Sequence, residues 1–302
     1  MSDEGVGESV EDLRGHARVH WDGGAFDGES ARRIVSLVPS LSEALYALGL
    51  GDRLVGVTEY CVHPAGAFER LPRLGGTKDA DAEAIAKLAP DLVIANQEEN
   101  TARVVRSLAS SGIDVWVTYP RRVAEGVSLL EDLARLGATP EAIESVVEPV
   151  RRAFEEAALR RVTAWEVPPR VFCPIWRDPW MTINHDTYIH DLIELCGGEN
   201  VFGRPSASAT PEAGEGAEAA DRGSDRRYPL LVLDQLVEKA PEVILLPDEP
   251  YAFGAADVET LAALDLPASA NGRIHLIDGT LVSWYGPRIA ESIRVVAGLF
   301  AN

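Results

Sequence analysis

The residues able to do chemistry in this chain sit in short runs that follow apolar stretches. Tyr60 and His63 come after Leu54-Val55-Gly56-Val57-Thr58, and Gln97 and Glu98 after Leu92-Val93-Ile94-Ala95. Trp176, Arg177 and Trp180 close the stretch that begins at Arg170. Asp248, Glu249 and Tyr251 follow Val243-Ile244-Leu245-Leu246, and Trp284, Tyr285 and Arg288 follow Ile274-His275-Leu276-Ile277. Indole and phenol faces offer stacking area to a flat macrocycle or a siderophore. Arg177 and Arg288 can orient an acidic group on such a ligand, with Glu98 and Asp248 as polar or metal-directed contacts. A bare metal ion is the second possible chemistry: His63, beside Cys61, and the carboxylates Glu98, Glu99, Asp248 and Glu249 supply nitrogen and oxygen ligands, although no fixed ligand spacing runs through them. An enzyme is the third. The chain has no G-x-S-x-G elbow, P-loop, G-x-G-x-x-G or H-E-x-x-H, and Cys61 and His63, alternate residues on an extended segment, diverge in reach. Non-catalytic binding is therefore the expected function, with no catalytic residue and no covalent cofactor.

Position is what gives these residues meaning. Ile85, Leu88 and Ala89 form an apolar-periodic segment that ends at Pro90-Asp91, just before the strand at Leu92. Leu233, Leu236 and Val237 lead in the same way through Pro241-Glu242 to the strand at Val243. The chain thus repeats helix, Pro-acid, strand, and in parallel α/β sheets ligands bind outside the carboxyl ends of the strands. Between the copies, Thr139 can cap and Pro140 can open a long polar helix running to Trp165. About 25 residues at 1.5 Å each give roughly 38 Å, more than a crossover needs, and Pro149 should bend or break it. The expected architecture is α/β: two Rossmann-like lobes with parallel-type sheets, bridged by this single long helix, with ligand in the cleft between them. The boundaries are 1–30 for an extension expected to be mobile, 31–138 and 167–302 for the lobes, and 139–166 for the connector. Val19, Trp21 and Phe26 could dock the extension on the first lobe. Residues 203–228, almost without apolar content, form a second segment expected to be mobile. Local signals add detail: Ser40 with Glu43 reads as a capping box, Thr187 or Asp186 as the cap of the helix ending at Gly197-Gly198, and His190 as a surface partner of Asp186.

A net charge of -20 across 302 residues argues against nucleic acid and anionic membranes. No apolar run approaches the ~18 residues of a membrane span. Cys61, Cys173 and Cys196, odd in number and scattered, form no disulfide framework and suit a reducing compartment. The first 30 residues lack a basic start and an apolar h-region, which on that ground alone points to the cytoplasm.

Arg33-Ile34-Val35-Ser36-Leu37 with Pro39-Ser40 and Glu43, Leu88-Ala89-Pro90-Asp91-Leu92-Val93-Ile94, Gly197-Gly198-Glu199-Asn200-Val201-Phe202 and Pro287-Arg288 together resemble the class III, helical-backbone substrate-binding proteins of ABC importers. These are receptors for vitamin B12, ferric siderophores, haem and some metals, and the B12-binding branch looks most similar. The resemblance spans roughly residues 32–300. It implies two lobes with little hinge motion, a cobalamin-like corrinoid or ferric chelate as ligand, and a periplasmic or surface-anchored location; an intracellular carrier or sensor on the same fold is the alternative that the lack of a signal favours, and a monomer is expected. It also implies an importer permease as partner, met by one carboxylate per lobe, for which Glu69 and Glu259 are the candidates.

Overall fold

The structure is a computed structural model, and it describes residues 9–163, 167–203 and 227–301. The chain divides into two compact units. Unit 1 takes its residues from Met1–Pro120, Ala124–Arg151 and Tyr285–Pro287; unit 2 takes Arg121–Val123, Arg152–Trp284 and Arg288–Asn302. Among the described residues no helix is long and apolar enough to cross a membrane.

Unit 1 is built on a five-stranded parallel sheet in the order β1 (Val19–His20), β5 (Asp114–Thr118), β4 (Leu92–Asn96), β2 (Ile34–Ser36), β3 (Leu54–Val57). Every residue of β4 is buried, as expected for the central strand of a parallel sheet covered on both faces. Helices α1 (Pro39–Ala47), α2 (Ala82–Lys87) and α3 (Ala102–Ser110) form the crossovers, and α4 (Val123–Arg135) follows β5. Asp81 caps α2, accepting from the N–H groups of Glu83 and Ala84. The capping box expected at Ser40 is absent. Pro39, with its φ preset and no N–H to satisfy, opens α1 two residues earlier than a cap at Ser40 would, and Ser42 Oγ donates instead to Val38 O at 3.0 Å.

The N-terminal segment differs from expectation over its described part. Val10, Leu13, Val19 and Phe26 are buried, and β1 pairs with β5 as the sheet's last strand. Gly23 makes the close approach possible, because a Cβ there would lie 2.3 Å from Trp116 Cζ2. Val19 and Phe26 dock as the sequence suggested, whereas the acidic, glycine-rich composition obscured Val10 and Leu13; together the four are enough to tie down such a short segment.

Thr139 caps the connector as expected, its Oγ1 accepting from Ala142 N at 3.2 Å. The helix then runs as α5 (Pro140–Ala142), a π turn at Ile143–Val147 and α6 (Glu148–Thr163). Pro149 has no N–H for the carbonyl four residues back. The chain accommodates this with one wider turn, Glu148 N–H reaching Ile143 O, rather than with a gap. The final residues of the expected connector, 164–166, lie outside the described residues, as does 204–226 of the expected mobile insertion.

Unit 2 carries a four-stranded parallel sheet in the order β11 (Ile274–Ile277), β10 (Val243–Pro247), β6 (Arg170–Phe172), β9 (Glu199–Asn200). The single strand expected over 170–176 is divided. Pro174 cannot donate to the ladder, and Pro174–Trp176 leaves the main sheet as β7 to pair antiparallel with β8 (Met181–Thr182). Helices α7 (Tyr188–Leu195), α8 (Leu233–Lys239), α9 (Ala255–Ala262), α10 (Pro267–Ala270), α11 (Thr280–Ser283) and α12 (Ile289–Phe300) complete the unit. Thr187 caps α7, accepting from His190 N. His190 is no partner of Asp186, which pairs with Arg121 at 3.0 Å. Its Nδ1 lies 3.2 Å from Asn200 Nδ2, and burial pushes the imidazole down to about 4.

Candidate functional site

In unit 1 the loop end of the sheet is organised by the last residue of β4. Asn96 is buried; its Oδ1 accepts from the backbone N–H of Glu98 at 2.7 Å and its Nδ2 donates to Tyr285 Oη at 2.6 Å. Tyr285 therefore belongs to unit 1, although its position in the chain assigned it to the second lobe. Gln97, adjacent to Asn96, has its backbone N–H on Thr118 O, while its side-chain Oε1 is buried with no hydrogen-bond partner among the described residues. A buried carbonyl oxygen without a donor is costly, and a bound N–H or O–H would satisfy it. Lys78 Nζ donates to Glu98 O, which joins the 75–79 loop to the 97–99 loop. Tyr60 flanks that loop and is 60% exposed, which leaves a phenol face open to solvent. His63 lies farther along the same segment and is half-buried.

Cys61 is not placed as a ligand. Its Sγ is buried against Ser42 Oγ at 3.1 Å and Thr58 Oγ1 at 3.2 Å, and burial pushes the thiol up from its ordinary value. Among the described residues no three His, Cys, Asp or Glu side chains stand close enough to hold one metal ion.

In unit 2 the aromatic residues meet. Trp176 packs edge-on against Tyr251 with ring centroids 5.6 Å apart, Tyr251 lies 4.7 Å from Phe253, and Phe253 stacks on Trp180 at 5.8 Å. Trp176 remains 44% exposed at one end of this row. Arg177 lies over the Trp180 ring and forms an ion pair with Asp257, a buried carboxylate that also accepts from Gly254 N at 2.8 Å. The acidic-group contact expected of Arg177 is thus already supplied from within the protein. Asp257 escaped the sequence reading because it lies three residues into a helix-start pattern, where a cap is the ordinary interpretation.

Beside this row, the loop after β10 holds a second group. Trp284 Nε1 donates to Glu249 Oε1 at 2.6 Å, Ser283 Oγ donates to the same oxygen at 3.2 Å, and Arg288 lies over the Trp284 ring. Asp248 Oδ1 accepts from Gly279 N at 2.7 Å, and Gly279 has to be glycine, since a Cβ would come within 2.3 Å of Glu249 Cγ. Arg288 donates to Thr280 Oγ1 at 2.8 Å and lies 3.8 Å from Asp278.

Burial is the largest influence on Glu249 and pushes its carboxyl above the ordinary value. The Trp284 and Ser283 hydrogen bonds oppose this, and the neighbouring Asp248 and Asp278 add to it. A raised folded-state value means the folded protein holds the proton to higher pH than the unfolded chain, so stability falls as pH rises from the ordinary carboxylate value through the raised one. Glu249→Gln keeps an acceptor for Trp284 and removes the charge. Denaturant titrations from pH 4 to 8 should give a flatter stability profile for the variant, with its gain over wild type confined to the upper end.

The family model described as "Periplasmic binding protein" matches residues 34–281. The vitamin B12-binding protein of Vibrio cholerae serotype O1 is 28% identical over 266 residues, 88% of each chain. Among solved structures, the periplasmic vitamin B12 binding protein of Vibrio cholerae superposes with a TM-score of 0.71 at 24% identity, covering 90% of this chain and 97% of its own. The periplasmic heme-binding protein of Roseiflexus sp. RS-1 in apo form gives 0.70 at 21% identity, covering 89% and 98%. At these identities the two structures speak to the fold.

Proposed function

Because the chain belongs to the periplasmic binding protein family, we propose that it is the solute receptor of an ABC importer and that its solute is a cobalamin-like corrinoid. The family consists of binding proteins, so the role is capture and delivery rather than catalysis. The observation that carries the reading is the row Trp176, Tyr251, Phe253, Trp180 at the loop end of unit 2, open at Trp176. Such a row suits a broad, largely apolar ligand edge and gives a small hydrated ion nothing to coordinate. Gln97 Oε1 in unit 1 adds an acceptor for amide donors. The similarity to a vitamin B12-binding protein over 88% of both chains supports the same ligand class. Haem and ferric chelates are the second reading, favoured by the heme-binding protein of the same fold. Tyr60, His63, Gln97, Glu98, Trp176, Trp180, Asp248, Glu249, Tyr251, Trp284 and Tyr285 are proposed as the ligand contacts, with Arg177 and Arg288 positioning their neighbours. The location that goes with this role is the periplasmic or outer-surface side of the membrane, and the partner is an importer permease.

The test is a visible absorption spectrum and a thermal melt of the purified protein with cobalamin, hemin and ferric siderophores added separately. A perturbed corrin spectrum and a raised Tm with cobalamin alone are expected. A response to hemin or a ferric chelate alone would replace the corrinoid by that class, and no response to any would overturn the reading.

A further inference from the structure

The face of α3 turned to solvent carries Arg103, Arg106, Ser107 and Ser110, spaced one helical turn apart, while Ala102, Val104, Val105, Leu108 and Ala109 are buried in the unit 1 core. With Lys78 and Thr101 these residues line a concavity of about 560 Å³. Its charge runs against that of the chain, which has 48 acidic residues and 28 basic ones. In so acidic a protein an exposed arginine or lysine ordinarily finds a carboxylate. Arg14, Arg32, Arg135, Arg151, Arg160 and Arg294 all do so within one or two turns of their own segment. Lys78 and Arg103 form no ion pair among the described residues; the Lys78 ammonium instead donates to a backbone carbonyl, Glu98 O. Thr101 Oγ1 donates to Lys78 O at 3.3 Å, which fixes the lysine's backbone at the rim of the hollow.

We propose that this hollow is a binding site for a multiply charged organic phosphate, separate from the solute site. Cations alone would suit any anion, including a carboxylate. The hydroxyls of Ser107 and Ser110 beside a guanidinium match the several acceptor oxygens of a phosphate, which arginine engages through two parallel hydrogen bonds. The methylene stems of Lys78, Arg103 and Arg106, with Ala102, provide an apolar wall that orthophosphate would leave uncovered. The net charge of -20 makes unspecific anion attachment unfavourable, so binding here would report the local arrangement.

The experiment is a thermal and calorimetric titration of the intact chain with inorganic pyrophosphate, ATP and citrate, each against sodium chloride at matched ionic strength. Pyrophosphate and ATP should raise the Tm and saturate, ATP more tightly, and citrate should bind at least about tenfold more weakly than ATP. Arg103→Gln should abolish most of the phosphate effect while leaving the ligand-free Tm and circular dichroism unchanged, since this side chain is exposed and forms no ion pair among the described residues. Arg103→Lys alone should keep charge and lose most of the affinity. Equal shifts from chloride and pyrophosphate, or an undiminished response in Arg103→Gln, would overturn the proposal. Preference for citrate over ATP would do so too.

Discussion

Trp176→Ala should weaken solute binding by about 2 to 3 kcal/mol, roughly 30- to 150-fold, while changing the stability of the free protein by no more than about 0.5 kcal/mol. The two halves of that expectation have one origin. Trp176 is 44% exposed and touches Tyr251 only edge-on, so the free protein gains little from the ring. An indole represents on the order of 150–250 Å² at about 25 cal/mol per Å², and covering the part still open yields a few kcal/mol gross before ordering costs. Trp284 is a less clean probe. Its Nε1 already holds Glu249, so Trp284→Ala removes ring area and also strips a half-buried carboxylate of a donor. Glu98→Gln, by contrast, alters a charge whose backbone is fixed by Asn96 and Lys78, and should cost about 1 kcal/mol or less. Affinity should also change little with salt, because stacking is not screened. Isothermal titration on the three variants decides. Loss of binding in Glu98→Gln alone, or stripping of the ligand by a chelator, would mean that the carboxylates dominate and the aromatic account fails.

Arg177→Met should lower the stability of the free protein by about 3 to 5 kcal/mol, the largest loss expected from any substitution around the site. Asp257 is 4% exposed, and it is held by Arg177 and by the backbone N–H of Gly254. Removing the guanidinium leaves a buried carboxylate with half its compensation, whereas Arg177→Met with Asp257→Leu removes both charges and should recover most of the loss. Chemical denaturation of the two single variants and the double variant measures the coupling directly. If Arg177→Met instead spared stability and abolished ligand binding, the arginine would be a ligand contact, in keeping with its place just after a strand.

That contrast marks how far the sequence could be read. The parallel strands β2, β4 and β10 were legible because continuous apolar runs between turn signals admit few alternatives, and the family resemblance fell on the first two of them. The aromatic row was legible as composition, since tryptophans in loops after strands are hard to explain as core. Which of them touch was not, because Trp176, Tyr251, Phe253 and Trp180 come together only through the departure of β7 from the sheet at Pro174. Arg177 and Arg288 were legible as cations, but their internal partners were not, since Asp257 lies 80 residues from Arg177 and no local periodicity connects them. Asn96 was missed for a similar reason: as the last residue of an apolar strand it reads as a terminator, and its phenol partner is 189 residues away. Val19 and Phe26 were legible as docking residues, whereas Val10 and Leu13 were hidden by the acidic residues around them.

The return of Tyr285–Pro287 to unit 1 bears on how this protein can be dissected. The connecting helix invites a cut that would release residues up to 151 as an autonomous half. Such a fragment would lack the phenol that accepts from Asn96 Nδ2, as well as Gly286, which packs near Ala44 of α1. The buried amide would then have only the long 3.4 Å contact to Thr118 Oγ1 left. Autonomy would have to be restored by circular permutation, carrying the 285–287 peptide across with the N-terminal half. Recombination between relatives at the helix would likewise separate an N-terminal half from a peptide that completes its interior.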